Sequence, residues 1–208
     1  MKKKAIIVSF EGIDGSGKST QAGKFVEFLK KQGRDVIFLK EPGTTYIGGK
    51  IRSILLSKNN KISPLSELFL YLAARNQLYQ EIIKKNLKNN VIIVFDRFFD
   101  STICYQGYGR HIPIDFIEYL HKNILEGIKT DITFIIDTPA ESIKKYLDVK
   151  GADRLEESLS FQKRVRKGYL EIAKNDKKRI KLIKRKSIEE TFKEILKEWE
   201  KFSFTKYE

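Results

Sequence analysis

Gly12-Ile13-Asp14-Gly15-Ser16-Gly17-Lys18-Ser19 decides the fold. The stretch follows the apolar run Ala5–Phe10 and precedes an amphipathic segment carrying Phe25, Val26 and Leu29 on one face. It therefore reads as a strand, a glycine turn and a helix, the context in which G-x-x-x-x-G-K-[ST] is a phosphate-binding loop rather than a chance spacing. Glycines let successive backbone N–H groups turn inward around phosphate oxygens, and the helix N-terminus adds positive potential. Lys18 is expected on the β- and γ-phosphates of ATP and Ser19 on Mg²⁺. The expected ATP contacts run through Gly12, Ile13, Asp14, Gly15, Ser16, Gly17, Lys18, Ser19 and Thr20.

Outward from this loop, short apolar runs alternate with amphipathic stretches, the pattern of an α/β fold with a mostly parallel sheet. Five strands are predicted, Ala5–Phe10, Asp35–Leu39, Val91–Phe95, Ile132–Ile136 and Arg179–Ile183. With the loop, they specify a three-layer P-loop NTPase fold: a five-stranded parallel sheet flanked by helices, in one domain. A last helix presents Ile188, Phe192, Ile195, Leu196 and Trp199 at the spacing of one buried face.

The longest predicted helix, about Pro64 to Leu87, has the stripe Leu65, Leu68, Phe69, Leu72, Tyr79, Ile82 and Ile83, with Arg75 inside it. A guanidinium on such a face needs an acidic partner or a ligand. Tyr71, one turn earlier, could hold a planar base beside it, whereas a pairing with a core Asp or Glu would make Arg75 structural. Both readings stand on the residues alone. After Val91–Phe95 come Asp96 and Arg97, at the strand end where open α/β sheets bind ligands. Asp96 is expected to hold hydrated Mg²⁺ and Arg97 a second phosphate, with a strand-capping ion pair as the plainer alternative.

The net charge of +14 favours anionic partners, and its densest cluster lies between Lys174 and Lys186. That cluster lacks the interleaved aromatics on which bases stack, so a solvated surface is the simpler expectation, and a nucleic-acid-stimulated ATPase the rival. No N-K-x-D guanine-reading motif is present. No apolar run reaches the roughly 18 residues of a membrane span, and the basic start Met1-Lys2-Lys3-Lys4 makes a poor signal peptide. With Cys104 as the single cysteine, the expectation is a cytoplasmic protein without a membrane or obligate nucleic-acid partner.

Several further segments resemble bacterial thymidylate kinases. These are Phe10-Glu11-Gly12, Glu41-Pro42-Gly43, Leu72-Ala73-Ala74-Arg75, Asp96-Arg97 and, most diagnostic, Asp100-Ser101-Thr102-Ile103-Cys104-Tyr105-Gln106-Gly107 continued as Tyr108-Gly109-Arg110. The resemblance implies ATP and dTMP as substrates, a homodimer packed through helices, and dTDP as product. It puts Asp14 on the deoxyribose 3′-hydroxyl, Arg97 on the acceptor 5′-phosphate, Arg75 on the thymine edge, and Tyr105 against the sugar 2′-position. Arg52 and Pro42 would line the acceptor pocket with Lys40, Glu41, Tyr71 and Ser101, and Thr102 and Gln106 would lie near the base. Donors aimed at thymine O4 would oppose the N4 amine of cytosine, and a broader pyrimidine monophosphate specificity is the alternative.

Two departures from the family pattern matter. Gly15 and Ser16 stand where an arginine could have been supplied from the loop, so the resemblance assigns that charge to a lid at about 145–155, where Arg154 is the arginine. Arg164 and Arg166 are further candidates. Lys40 replaces the usual arginine before Glu41-Pro42, giving charge without the bidentate fork.

Overall fold

Five parallel strands form one sheet in the order β2-β3-β1-β4-β5, in a computed structural model that describes residues 5–143 and 158–207. The strands are β1 (Ile6–Glu11), β2 (Val36–Lys40), β3 (Ile92–Asp96), β4 (Ile132–Asp137) and β5 (Ile180–Lys184). Helices α1 (Lys18–Lys31), α2 (Tyr46–Leu56), α3 (Pro64–Leu78), α4 (Phe99–Thr102), α5 (Ile114–Ile124), α6 (Leu159–Asn175) and α7 (Ile188–Tyr207) connect and cover them. A π-turn over Tyr79–Ile83 extends α3, and a second, over Ile103–Gly109, continues α4. The α/β architecture and the parallel sheet are as expected, with each strand beginning one residue later than predicted except β4, and each ending one residue later.

β1, β3 and β4 are nearly continuous apolar runs because both faces of the central strands are covered. Alternation divides their side chains: Ile6, Val8 and Phe10 pack with α1 and α7, whereas Ile7, Ile93 and Phe95 pack with α3 and α5. β2 and β5 are edges, with Phe38 and Leu182 exposed. Much of the basic cluster lies on or beside β5, and its lysines keep that free edge from pairing with another strand. Helix starts follow local chemistry: the hydroxyls of Thr45, Ser63 and Ser158 each accept a backbone N–H of the turn they cap, and Pro64 occupies the first turn of α3.

Two apolar stripes depart from expectation. Leu65 and Phe69 are 47% and 48% exposed, while Leu68, Leu72 and Tyr79 are buried. The i, i+4 pair Leu65–Phe69 thus forms a second apolar face on α3, turned away from the sheet. Ile188 is likewise exposed at the start of α7, and Ile195 and Trp199 carry that helix's burial.

The face under α1 and α7 centres on Phe25, whose ring centroid lies 5.4 Å from Phe10, 5.9 Å from Phe134 and 5.1 Å from Trp199. Phe25→Ala opens a cavity at this junction and should cost about 3–5 kcal/mol of unfolding free energy. Urea denaturation followed by far-UV circular dichroism measures it; a loss below about 1 kcal/mol would mean that the neighbouring rings close the gap.

Candidate active site at the C-terminal edge of the sheet

β1 and β3 are neighbours in register, with Phe10 opposite Asp96. Their C-terminal ends therefore release the glycine loop and the Asp96-Arg97 pair side by side. Gly12, Gly15 and Gly17 all have positive φ, and a Cβ on Gly12 would come within 2.8 Å of the Ile136 carbonyl and of Ser16 Oγ. Gly17 precedes α1 without a side-chain cap, so the amides of the first turn are left for an anion. Ser16 Oγ is buried with no hydrogen-bond partner. Free helix-start amides, an unpartnered hydroxyl and a lysine suit a polyphosphate. Ser19 and Thr20 are exposed on α1, and Asp96 is buried beside the loop. Burial, reinforced by Arg97, pushes the Lys18 ammonium down to about 8 against the pull of Asp14, Asp96 and Glu11.

Arg97 faces the loop with φ 70°, a left-handed conformation unusual for its residue type. Nη1, with two hydrogens for three acceptors, lies 3.0 Å from Gly12 O, 3.1 Å from Ser101 Oγ and 3.3 Å from Tyr169 Oη, so one hydrogen is shared. Nη2 donates to Asp14 Oδ1 at 2.5 Å and Tyr105 Oη at 2.9 Å, and the Tyr105 hydroxyl donates to Asp14 Oδ2 at 2.8 Å. Burial works against the Asp14 charge, but Arg97, Lys18 and these hydrogen bonds outweigh it and hold the carboxyl well below the usual carboxylate range. Asp14, Arg97, Ser101 and Tyr105 thus form one cluster at the loop.

Arg75 anchors a second cluster. Nε donates to Glu41 Oε2 at 2.6 Å, Nη1 to Thr102 Oγ1 at 2.7 Å and to His121 Nε2 at 2.8 Å, and Nη2 to Phe98 O at 3.2 Å. A guanidinium cannot accept, so His121 Nε2 is the acceptor and its proton sits on Nδ1. Burial, with Arg75 alongside, keeps His121 neutral by lowering its pKa well below the ordinary value. Burial also raises the pKa of Glu41, and Arg75 opposes that rise. The two sequence alternatives for Arg75 are therefore not exclusive: it has its acid, and four of its five N–H groups are assigned, leaving one on Nη2.

The remaining predicted residues border these clusters. Arg52 donates to the Pro42 carbonyl at 3.1 Å, and Gln106 to Glu67 at 2.8 Å. Tyr71 is half-buried on α3, and Lys40 is exposed at the end of β2. Arg154 lies outside the described residues. Of the other candidates, Arg166 makes a two-bond pair with Asp137 at 2.7 and 2.9 Å, and Arg164 is bonded to Gly109 O. Sequence reasoning missed Glu11, Glu67, His121 and Tyr169 as site residues. Glu11 had a signal, a carboxylate ending a run of buried strand residues; His121 had none, because its partner is distant in sequence.

The strand, glycine loop and helix, with Lys18 and the uncapped helix start gathered at the sheet edge, make the chain a P-loop protein built to hold a polyphosphate. Comparison with known proteins narrows the acceptor. The thymidylate kinase family model matches residues 10–195. The thymidylate kinase of Kosmotoga olearia is 42% identical over 197 residues, covering 93% of this chain and 95% of that protein. That of Thermoanaerobacter sp. strain X514 is 44% identical over 181 residues, 86% of this chain and 89% of the relative. The crystal structure of thymidylate kinase from Ehrlichia chaffeensis superposes with a TM-score of 0.79 at 34% identity, covering 95% of this chain and 99% of that one. The chain belongs to the thymidylate kinase family, and it is an enzyme that phosphorylates dTMP.

The Arg75–Glu41 pair carries a pH signature. Arg75→Ala leaves a buried carboxylate unpaired and should cost about 3–5 kcal/mol near pH 8. As pH falls the loss should shrink. The folded-state pKa of Glu41 is already raised by burial, and without Arg75 it rises further, so the folded variant binds a proton that the unfolded chain releases above its ordinary carboxylate range. Chemical denaturation of both proteins at several pH values tests this, and a pH-independent difference would refute the pairing as the source.

Proposed function

We propose that ATP, bound on the Gly12–Ser19 loop with Mg²⁺, donates its γ-phosphoryl group in line to the 5′-phosphate of dTMP held by Arg97. The observation that carries this reading is Arg97 itself, whose guanidinium is bonded at once to the loop carbonyl of Gly12 and to Asp14. A phosphate on Arg97 would lie against the cradle that holds the donor. Its oxygen is already anionic near neutral pH, so no general base is required, and positioning and charge neutralisation supply the catalysis. Among the described residues no three metal-ligating side chains gather. Ser19 and Asp96 would hold Mg²⁺ together with phosphate oxygens, the manner in which this ion is commonly bound, and the ion would neutralise charge on the transferring group. Arg164 and Arg166 are tied to Gly109 and Asp137, so we assign the further positive charge on that group to Arg154.

For the base, the unassigned N–H of Arg75 would donate to thymine O4, with Thr102, Gln106 and Tyr71 around the ring and Pro42 and Arg52 bordering the pocket. Asp14 would accept from the 3′-hydroxyl, and Tyr105 would close the 2′-side. Steady-state turnover of dTMP, dUMP, dCMP and UMP tests the assignment. kcat/KM for dCMP should fall at least about a hundredfold below that for dTMP, because its N4 amine would face a buried donor, and that for dUMP about tenfold or more for the missing methyl. Equal rates across the four would reject this recognition.

We also propose that the enzyme is a homodimer. Tyr46, Ile47 and Ile54 on α2, Leu65 and Phe69 on α3, and Phe116 and Tyr119 on α5 are all large, apolar and exposed. These helices pack side by side, and such a patch marks an interaction surface. Phe69→Glu should yield monomer at micromolar concentration in sedimentation velocity; an unchanged sedimentation coefficient would place the interface elsewhere. The buried free thiol of Cys104 supports the cytoplasm as the compartment.

A further inference from the structure

Glu11 is a carboxylate at the site to which phosphate, base and metal binding assign no role. It is fully buried at the end of β1, immediately before the phosphate loop. Its Oε1 accepts the Phe98 N–H at 2.7 Å. Its Oε2 accepts the hydroxyls of Ser101 at 2.5 Å and of Tyr169 at 3.1 Å. Those two hydroxyls are the same ones on which Arg97 rests, at 3.1 and 3.3 Å.

We propose that Glu11 is the positioning residue of the acceptor-phosphate site, orienting the Ser101 and Tyr169 hydroxyls and pinning the turn that aims Arg97. The inference rests on Arg97 being the ligand of the acceptor phosphate. Its logic is the direction of the hydrogen bonds. An ionised carboxylate can only accept, so it draws both hydroxyl protons, in place of the arrangement in which one hydroxyl donates to the other across their 2.9 Å contact, and both oxygens keep lone pairs for the guanidinium. A protonated Glu11, or an amide in its place, brings a donor that competes for one of those lone pairs. The Phe98 bond has a second effect. Together with the bond from Arg97 N–H to Phe10 O at 3.0 Å it brackets Arg97, whose left-handed backbone is worth about 1–3 kcal/mol of strain and would otherwise relax.

The charges facing Glu11 come from each element packed on it. Asp100 repels it from α4, Arg97 attracts it from the end of β3, and Lys18 lies opposite on α1; Cys104 and Tyr169 approach from the π-turn and α6. Burial first, then Asp100, raises its pKa to about 7 against the pull of Ser101, Arg97 and the Phe98 amide. The aiming of Arg97 is thereby present above that pH and lost as pH falls through it.

The test is steady-state kinetics of Glu11→Gln against the unaltered enzyme. KM for dTMP should rise about tenfold and KM for ATP change less than about twofold, since a misplaced contact affects the substrate it serves. The ratio of unaltered to variant kcat/KM for dTMP should increase as pH rises through about 7; the ionisation of dTMP is common to both enzymes and cancels. An unchanged KM for dTMP, or a ratio flat with pH, overturns the proposal. Arg97→Lys is the control: if it leaves KM for dTMP unchanged, the acceptor role of Arg97 fails first, whereas an effect there with none in Glu11→Gln rejects Glu11 alone. Should Glu11→Gln not fold, Tyr169→Phe, which removes one oriented hydroxyl without altering charge, must raise KM for dTMP selectively; no change there also overturns the proposal.

Discussion

The register of β1 against β3, with Phe10 opposite Asp96, is the constraint from which the site follows. It is fixed by apolar packing on both faces, since a one-residue slip would exchange the side chains that meet α1 and α7 for those that meet α3 and α5. Because the register holds, the phosphate loop and Arg97 leave the sheet at the same level. The guanidinium can then touch the Gly12 carbonyl and the Asp14 carboxylate without any loop having to bend toward it. Two segments separated by more than 80 residues of chain become one cluster through strand pairing.

Around that junction, charge is arranged in compensated layers. Asp14 balances Arg97 and Lys18 at the front, Glu11 sits behind Arg97, and Asp100 behind Glu11 is neutralised by a two-bond contact with Arg179 at 2.7 and 3.0 Å. Asp14, Lys18, Arg97 and Asp100 thus each have an opposite partner, which is the condition under which burial is tolerated. The consequence is stiffness: Arg97 and Arg75 are held by several bonds each, and Phe98 links the two clusters by giving its N–H to Glu11 and its carbonyl to Arg75. A site prepared in this way spends little of the substrate's binding energy on ordering its own side chains.

The fold was largely legible because its signals are local. Apolar runs, a glycine loop and helical stripes placed all five strands within a residue of where they lie. The site was legible only where a motif carried it. Arg75 stood out as a cation in an apolar stripe, but its four bonds involve Glu41, Phe98, Thr102 and His121, residues that only the tertiary fold gathers. The exposed pair Leu65–Phe69 misled in the opposite sense. Spacing alone cannot say whether an apolar face meets the protein's own core, and α3 carries one apolar face that does and one that is exposed.

The second apolar face and the buried Arg75 network share α3, so the proposed dimer contact and the proposed base contact would sit on one helix. Leu68, Leu72 and Tyr79 hold α3 to the sheet while Leu65 and Phe69 turn outward, and Arg75 lies on the buried side with its guanidinium on Glu41 and Thr102. Any partner covering Leu65 and Phe69 would therefore pack on the helix that carries Arg75, the arginine proposed above to face the base. Fixing that helix from both sides would narrow the fluctuation of Arg75, and with it of the donor that the proposed recognition aims at a carbonyl and not an amine.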